Sequence, residues 1–255
     1  MRAIVLAAGK GSRMRSALPK PLHLVNGVPM AQHILKSLEE LDLECTVVVV
    51  GHQAQLVSET LRQMSSDPTR LKFAEQRVQR GTADATKVGL QAFASSDGSG
   101  VESDVLVLPG DMPLLTSDTL IELQDHHVKS GAAATLLTAE FKDPSGYGRI
   151  VRDEQGRIER VVEHVDAGPH ELAICEVNTS IYCFKSRFLD GALREVESSN
   201  SQNEYYLTDV VELFRASGHL VTAMISDDPD EVRGVNDKKQ LVECETLLRA
   251  RGNVR

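Results

Sequence analysis

Short, continuously apolar runs alternate along this chain with longer stretches of helical periodicity. Successive apolar residues indicate strands that are buried on both faces, and strands separated by helices pair in parallel. The first half of the chain is therefore predicted to be an α/β fold with a doubly wound, mostly parallel sheet. The predicted strands are Ala3–Ala7, Cys45–Val50, Leu71–Ala74 and Asp104–Leu108, and the predicted helices are Met30–Leu41, Gln53–Met64, Thr82–Phe93 and Thr116–Ser130.

The pattern changes after residue 131, where strand-like segments follow one another directly. Two of them flank residues 153–156, Asp-Glu-Gln-Gly, which favours a hairpin turn. Antiparallel strands attached to a parallel sheet predict a smaller, substrate-covering lobe. We expect a single domain with a first part at 1–130, this lobe at 131–235 and a closing helix at 236–255. The predicted elements are the strands Ala132–Glu140, Gly148–Arg152, Arg157–Glu163, Glu176–Phe184 and His219–Ile225 and the helices Leu207–Ser217 and Lys238–Arg251.

Local signals add three expectations. Ser95–Ser103 is rich in Ser, Gly and acidic residues, which predicts a surface loop. Thr116 or Ser117 offers a side-chain oxygen that can cap the helix that follows. The four cysteines have no CxxC spacing, and two of them lie in strand-like runs, so we expect buried free thiols.

Length and charge limit the class of protein. A chain of 255 residues is near the upper limit for one hydrophobic core. Its net charge of −9 argues against nucleic-acid binding, which depends on Lys and Arg, although a small phosphorylated ligand can still bind backbone amides, local cations and a metal ion. No apolar run is long enough to cross a membrane, and the stretch from Ala3 to Ala8 is too short for an export signal. We therefore expect a cytoplasmic protein.

A glycine-rich turn follows the first predicted strand, within the segment LAAGKGSRM that begins at Leu6. Ligands bind at this end of parallel strands, and glycine lets backbone amides approach phosphate oxygens. A dinucleotide fingerprint would need Gly in place of Met14, and a Walker A loop would need Ser or Thr directly after Lys10. Nearby, Arg13 and Lys20 could be solvated surface cations, but the prolines on both sides of Lys20 favour a fixed ammonium group.

The segment LAAGKGSRMRSALPKPLH resembles the signature of the sugar-phosphate nucleotidyltransferases. More narrowly, the whole chain is similar to the uridylyltransferase domain of the bifunctional N-acetylglucosamine-1-phosphate uridylyltransferases, which implies a Rossmann-like nucleotidyltransferase fold. Seven short motifs occur in that family's order. They are GTADA at Gly81–Ala85, GDMPLL at Gly110–Leu115, GYGRI at Gly146–Ile150, VEH at Val162–His164, NTSIY at Asn178–Tyr182, YYLTD at Tyr205–Asp209 and GVN at Gly234–Asn236.

Asp111 follows a strand-like run, which places a carboxylate at the edge where the glycine-rich turn lies. One or two protein oxygens together with substrate phosphates suffice for Mg²⁺, although Asp111 could instead cap the helix at Thr116 or shape a turn. The resemblance implies that Asp111 and Asn236 hold the metal. It also implies that Arg13 and Lys20 are catalytic, and that the nucleotide contacts Asp111 and the turn residues Leu6, Ala7, Ala8, Gly9 and Gly11.

The resemblance assigns base recognition to Gln76, Gly81 and Thr82, and Gln79 also matches a glutamine of the family. An amide side chain offers both a donor and an acceptor, as uracil requires, and Gly81 allows close approach of the ring. Thr82 could also simply cap a helix.

For the sugar phosphate, the resemblance implies contacts with Gly148, Glu163, Asn178 and Thr208, and with the metal ligand Asn236. Glu163 could alternatively be a surface carboxylate paired with Arg160. The chain departs from the family at Ser180, where glycine is usual, and at Asp84, where histidine is frequent.

The implied reaction is Mg²⁺-dependent transfer of UMP from UTP to N-acetylglucosamine-1-phosphate, which gives UDP-N-acetylglucosamine and pyrophosphate. The alternatives are a nucleotidyltransferase of the same fold with another sugar phosphate or nucleotide, such as glucose-1-phosphate or N-acetylmuramate-1-phosphate, and a nucleotide-sugar sensor without turnover. No hexapeptide repeat is present in the sequence, so we expect no acetyl transfer. We expect a monomer or weak homo-oligomer.

Overall fold

The computed structural model describes residues 1–97 and 103–252 of the chain. Seven strands lie side by side in the order β11-β7-β10-β6-β1-β4-β5, and a β8–β9 hairpin branches from β10. The strands are β1 (Arg2–Ala7), β2 (Leu24–Val25), β3 (Val28–Pro29), β4 (Thr46–Val50), β5 (Leu71–Glu75), β6 (Val105–Pro109), β7 (Ala134–Glu140), β8 (Arg149–Arg152), β9 (Ile158–Val162), β10 (Glu176–Phe184) and β11 (Val221–Ile225).

The strand directions confirm the predicted mostly parallel sheet. β5, β4, β1 and β6 pair in parallel, and so do β11 and β7. Only β10 runs in the opposite direction on this seven-strand path, because it is antiparallel to both β6 and β7. The carboxyl ends of β1, β4 and β6 therefore meet at one edge of the sheet, which is where an α/β fold binds ligands.

Helices cover both faces of this sheet, as the continuous apolar strands predict. Along β1, Val5 faces a core that includes residues of α1, α2 and α4, and Ile4 faces a core that includes residues of α3, α6 and α7. Both side chains are completely buried, and such burial contributes about 1.5–3 kcal/mol per side chain. The helices are α1 (Met30–Glu39), α2 (Ala54–Met64), α3 (Thr82–Asp97), α4 (Ser117–Ser130), α5 (Pro169–Leu172), α6 (Ser186–Glu195), α7 (Asp209–Ala216) and α8 (Lys238–Gly252).

The predicted hairpin at 153–156 is confirmed. Asp153 N–H donates to the carbonyl of Arg157 at 2.9 Å, and Gly156 adopts a φ of 76° that favours glycine. The resulting β8–β9 pair joins the main sheet through Arg149, which pairs with Val177 of β10. Of the strands predicted for the smaller antiparallel lobe, β7, β10 and β11 belong to the central sheet, and only the antiparallel β8–β9 hairpin branches from it.

The structure differs from the sequence predictions at a few elements. α3 continues to Asp97, so Ser95–Asp97 are helical rather than part of the predicted loop, and residues 98–102 of that prediction lie outside the described residues. α6 was not predicted, because its segment is short and contains Gly191. Thr116 caps α4, as expected, by accepting a hydrogen bond from Thr119 N–H at 3.4 Å.

The thiol prediction is only partly confirmed. All four cysteines are free, but Cys175 is exposed and Cys45 is half-buried, whereas Cys183 and Cys244 are buried. Over the ranges 1–97 and 103–252, no helix combines the length and apolar character required to span a membrane.

His127 in α4 is a completely buried histidine away from the ligand-binding edge. Its Nδ1 lies 2.8 Å from Oγ1 of Thr135, and its Nε2 lies 3.6 Å from Oδ2 of Asp104, which also pairs with Lys185. Burial is the main cause that lowers the pKa of His127 to about 4, and the carboxylate of Asp104 opposes this shift in part. The ring is therefore neutral in the folded protein at neutral pH.

This buried ring should make stability depend on pH. A histidine in the unfolded chain titrates near pH 6.5, so the unfolded state takes up the proton first as the pH falls. Between pH 6.5 and 5 we expect His127 to lower the free energy of unfolding by about 2 kcal/mol. Urea unfolding across this range should show a shallower pH dependence for His127→Gln than for the wild type, whereas His126→Gln should retain the wild-type slope. Equal slopes for His127→Gln and the wild type would contradict the assignment.

Candidate active site

The glycine-rich turn lies where β1 and β6 end side by side. Gly110 N–H donates to the carbonyl of Leu6 at 2.9 Å, and Gly11 adopts a φ of 60°. A short 3-10 helix, Ser12–Met14, follows the turn and buries Met14, which anchors the loop to the protein. A small cavity of about 100 Å³ opens at this edge, and its lining includes Leu6, Ala7, Gly9, Lys20, Gly110 and Asp111. Ala8, another residue of the turn, is buried.

Lys20 is held in one place and is not a solvated surface cation. It begins a second 3-10 helix, Lys20–Leu22, and only 15% of its side chain is exposed. A Cβ atom at Gly11 would lie 2.6 Å from Cβ of Lys20, so this glycine makes room for the lysine stem. The ammonium group donates to Oδ2 of Asp111 and, at 2.8 Å, to Oδ1 of Asn236.

Arg13 joins the same cluster, because its Nη2 donates to Oδ1 of Asn236 at 3.0 Å. Asn236 is itself positioned by its backbone N–H, which donates to Gln240 Oε1 at 2.7 Å. The preceding residue, Val235, donates its N–H to the carbonyl of Asp111 at 2.9 Å. Two cationic side chains and two side-chain oxygen atoms, from three distant segments of the chain, therefore meet at the ligand-binding edge. Asp111 does not cap α4, since Thr116 has that role.

The oxygen atoms of Asp111 and Asn236 fit a small cation. Both atoms accept from a single ammonium group, so they converge on one point of positive charge. Carboxylate and amide oxygens are hard ligands of the kind that divalent cations such as Mg²⁺ prefer. In the part of the chain that the structure describes, no group of three or more His, Cys, Asp or Glu side chains converges as a metal site. Two oxygen ligands fill only part of an octahedral Mg²⁺ shell, so the pair would leave coordination positions for a phosphate or water.

The second predicted segment, residues 76–82, lies beside the glycine-rich turn. A Cβ atom at Gly51, just after β4, would lie 2.6 Å from the carbonyl oxygen of Ala8 and 2.7 Å from Nε2 of Gln79. Gln79 also donates to the carbonyl of Gln76 at 3.1 Å. The structure therefore places both glutamines next to the end of β1. Gly51 directly follows the predicted strand Cys45–Val50, and this position is the sequence signal that could have placed it at the site. In the structure, the preceding Val50 pairs with Ala7 at the end of β1.

Gln76 and Thr82 differ from expectation in how their polar groups are used. Gln76 is almost completely buried, and its Nε2 donates to the carbonyl of Gly81 at 3.1 Å and to Oδ2 of Asp84 at 2.8 Å. The amide donor of Gln76 is thus already engaged, which leaves its carbonyl oxygen. Thr82 is the first residue of α3 and not its cap, and its hydroxyl accepts from Leu207 N–H at 2.9 Å.

Residues 80–83 are joined to residues 205–207 by backbone hydrogen bonds. Tyr205 N–H donates to the carbonyl of Arg80 at 2.7 Å, and Ala83 N–H donates to the carbonyl of Tyr205 at 2.9 Å. Gly81 lies between them with a φ of 117°, and a Cβ atom there would lie 2.4 Å from the carbonyl oxygen of Tyr205. These backbone hydrogen bonds connect the 76–82 segment to the second half of the chain.

Gly81→Ala should therefore be strongly destabilising. The methyl group would overlap the Tyr205 backbone, and alanine is strained at this φ, so we expect a loss of about 3 kcal/mol in unfolding free energy. Gly146→Ala is the matched control, because Gly146 also has a positive φ, 83°, but has no atom within 4 Å of the added Cβ. Urea unfolding of both variants separates overlap from strain, and equal losses would show that the Tyr205 contact contributes nothing.

The four residues assigned to the sugar lie together on the second half. Thr208 Oγ1 donates to Glu163 Oε1 at 3.3 Å, and a Cβ atom at Gly148 would lie 3.4 Å from Glu163 Oε2. Asn178 N–H donates to the carbonyl of Gly148 at 2.8 Å. Arg160 pairs with Glu171 at 2.8 Å, so the alternative of a Glu163–Arg160 pair is wrong.

Burial raises the pKa of Glu163, with Asp209 and Asp166 adding to the shift and the Thr208 hydroxyl opposing it. Burial also raises the pKa of Asp209 to about 6. The cluster around Glu163 is therefore acidic and partly desolvated, and it can accept hydrogen bonds from hydroxyl groups.

The side chain of Asn178 has fewer hydrogen-bonding positions left for a ligand than the sequence predicts. Its Nδ2 donates to the hydroxyl of Tyr182 at 2.7 Å, and its Oδ1 accepts from Ser180 N–H at 3.2 Å. Ser180 adopts a φ of 61°, in the register shift of β10 between Asn178 and Ile181. This conformation favours glycine and explains physically why glycine is usual at the position.

Comparison with known proteins identifies the family. The model of the family described as nucleotidyl transferase matches residues 2–230. The chain belongs to this family. It is 46% identical over 251 residues to the bifunctional protein GlmU of Lactococcus lactis subsp. lactis (strain IL1403), which covers 98% of this chain and 52% of the relative. It is 44% identical, with the same coverage, to the bifunctional protein GlmU of Bacillus cytotoxicus. The chain thus spans about half the length of these curated relatives.

Solved structures support the fold of this nucleotidyl transferase. A Bacillus anthracis protein assigned as a glucose-1-phosphate thymidylyltransferase, crystallised with sucrose, superposes with a TM-score of 0.76 over 97% of this chain and 95% of that chain. At 20% sequence identity, this similarity shows the fold alone.

The charged side chains of this site can neutralise the negative charges of a phosphorylated ligand. Arg13 and Lys20 supply two positive charges at the edge of the sheet. The oxygen atoms of Asp111 and Asn236 can hold a further cation there. Residues 76–82 lie beside the glycine-rich turn, and Glu163 lies in an acidic cluster on the second half of the chain. The contacts of Asp84 with Gln76 and of Tyr205 with Gly81 were not predicted from the sequence.

Proposed function

We propose that this nucleotidyl transferase moves UMP from UTP to N-acetylglucosamine-1-phosphate, releasing pyrophosphate and UDP-N-acetylglucosamine. The identity of 44–46% to GlmU proteins along 98% of the chain supports this proposal, as do the seven motifs. The observation that carries it is the convergence of Lys20, Arg13, Asp111 and Asn236 beside the glycine-rich turn.

In this reaction an oxygen of the sugar phosphate attacks the α-phosphorus of UTP. The new P–O bond forms as the bond to the β-phosphate breaks, and pyrophosphate leaves with the electron pair. The attacking phosphate is already anionic, so no general base is needed, and catalysis depends on positioning and charge neutralisation. Arg13 and the amides of the turn would hold the triphosphate, and Lys20 would contact the phosphates that react.

Asp111 and Asn236 would hold Mg²⁺, which when bound would neutralise phosphate charge. The pairing of both oxygens with the Lys20 ammonium group supports a cation at this place. We further propose that Gln76, Gln79, Gly81 and Thr82 recognise the uracil ring. Under the same proposal, residues 1–130 bind mainly the nucleotide, 131–235 bind the sugar at Gly148, Glu163, Asn178 and Thr208, and 236–255 close the domain.

A screen of pyrophosphate release tests the proposal. The purified chain is assayed with Mg²⁺ and each pairing of UTP, CTP, ATP, GTP or dTTP with N-acetylglucosamine-1-phosphate, glucose-1-phosphate or N-acetylmuramate-1-phosphate. We expect the pairing of UTP with N-acetylglucosamine-1-phosphate to be fastest. Faster release with another pair would assign a different substrate, and tight UTP binding without release in any pairing would indicate a sensor.

We also propose that the chain is a monomer or weak homo-oligomer in solution. Light scattering at several protein concentrations checks this, and a stable trimer would contradict it.

A further inference from the structure

Among the residues that the structure describes, partners are found for every polar atom of Gln76 except one. Its backbone N–H donates to the carbonyl of Val50 at 2.8 Å, and its own carbonyl accepts from Gln79. Its side-chain Nε2 donates to Gly81 and to Asp84, at 3.1 and 2.8 Å. Within residues 1–97 and 103–252, no hydrogen bond reaches the remaining atom, Oε1. This oxygen is the group that Gln76 can offer to a ligand.

Asp84 determines which atom of the Gln76 amide, Nε2 or Oε1, is left for a ligand. A carboxylate and a backbone carbonyl can only accept hydrogen bonds, so the amide NH₂ group must face both of them. Rotating the amide by 180° would set Oε1 against Oδ2 of Asp84 and would break both Gln76 bonds, although the Gly81 carbonyl would still accept from Ala85 N–H at 3.2 Å. A hydrogen bond to a carboxylate is charge-assisted, and such bonds are about twice as strong as neutral ones.

We propose that Asp84 is a positioning residue that fixes the Gln76 amide with its carbonyl oxygen toward the base, and thereby selects bases with a ring N–H donor. This inference rests on the proposed uridylyl transfer. Uracil carries a donor at N3, whereas cytosine carries an acceptor there and would face Oε1 without a hydrogen bond. Sites that leave a polar group unpaired discriminate strongly between such analogues. Thymine has the same N3 donor, so Asp84 would not separate UTP from dTTP.

Asp84→Ala tests this proposal by removing the acceptor that holds the amide. Pyrophosphate release is measured with UTP and with CTP at saturating N-acetylglucosamine-1-phosphate, and binding of each nucleotide is measured by calorimetry. We expect the UTP-to-CTP ratio of kcat/KM to fall about tenfold, which corresponds to about 1.4 kcal/mol. KM for UTP should rise, and kcat should stay within about threefold of the wild type.

Asp118→Ala is the matched control. Asp84 and Asp118 both lie in the first turn of a helix, where an acidic side chain interacts favourably with the helix dipole. Asp118 is exposed and lies in α4, so its substitution reproduces loss of the dipole interaction without touching Gln76. We expect its UTP-to-CTP ratio to stay within twofold of the wild type.

A double-mutant cycle with Gln76→Ala separates positioning from a general structural effect. If Asp84 acts through Gln76, Asp84→Ala should change the ratio less than twofold in the Gln76→Ala background. A tenfold change in that background, or an unchanged ratio in the single variant, would overturn the proposal. If the wild type releases no pyrophosphate with any pair, the proposed function fails, whereas the calorimetric UTP-to-CTP ratio still decides the role of Asp84.

Discussion

Lys20→Ala is expected to reduce the turnover of pyrophosphate release about 1,000-fold, the upper range for removing one preorganised charge from an active site. The ammonium group is largely buried and is fixed by Asp111 and Asn236, so it meets developing phosphate charge without reorganising. UTP affinity should change less than about tenfold, because Arg13 and the amides of the turn remain. Steady-state kinetics and calorimetry with UTP measure the two effects separately.

Lys10→Ala provides the control for Lys20. Lys10 lies in the same glycine-rich turn and its substitution removes the same charge, but its side chain is exposed. We expect turnover within about threefold of the wild type for this variant. Near-normal turnover in Lys20→Ala, or equal losses in both variants, would remove Lys20 from the catalytic group.

Asp111→Asn should cause the second large loss, about 100-fold in turnover at a fixed low Mg²⁺ concentration. Asparagine keeps the size and one oxygen of Asp111 and can still accept from Lys20, but it lacks the negative charge that attracts a divalent cation. The Mg²⁺ concentration that gives half-maximal rate should therefore rise at least about tenfold. A metal titration of the rate, with the free ion buffered, checks this result.

Asp42→Asn is the control for the metal titration, since Asp42 is an exposed acidic residue outside the candidate active site. Its half-maximal Mg²⁺ concentration should equal that of the wild type. If Asp111→Asn showed the wild-type titration as well, Asp111 would not be a metal ligand.

Apolar patterns predicted the central fold because burial on both faces determines it. The runs that contain Val47 to Val50 and Val105 to Leu108 can be satisfied only inside a sheet covered by helices on both sides, as observed. Most boundaries moved by one or two residues where local signals were weak, and the end of α3 moved by four, from Phe93 to Asp97. α6 was missed because its segment is short and contains Gly191, although Leu189 and Leu193 pack in the core.

The candidate site was predictable where topology alone brings residues together. Strand ends explain why Asp111 lies beside the glycine-rich turn, but the position of Asn236 came only from the family resemblance. The engagement of Gln76 with Asp84 and the contact of Gly81 with Tyr205 were not predicted. Gln76 and Asp84 are eight residues apart, and their contact depends on the side-chain geometry where α3 begins. Gly81 contacts Tyr205 through packing between segments more than 120 residues apart, which spacing in the sequence does not encode.

The position of β10 limits how this enzyme can be re-engineered. Its Tyr182 and Phe184 pair with Val107 and Val105 of β6, while its other edge pairs with β7. A chimera that grafts residues 131–235 from a relative would create a new seam along β6 in the middle of the sheet, where side chains are completely buried. If the sugar binds at Gly148 and Thr208 as proposed, exchange of sugar preference should therefore succeed by transplanting the loops that carry these two residues, and fail when the whole half is replaced.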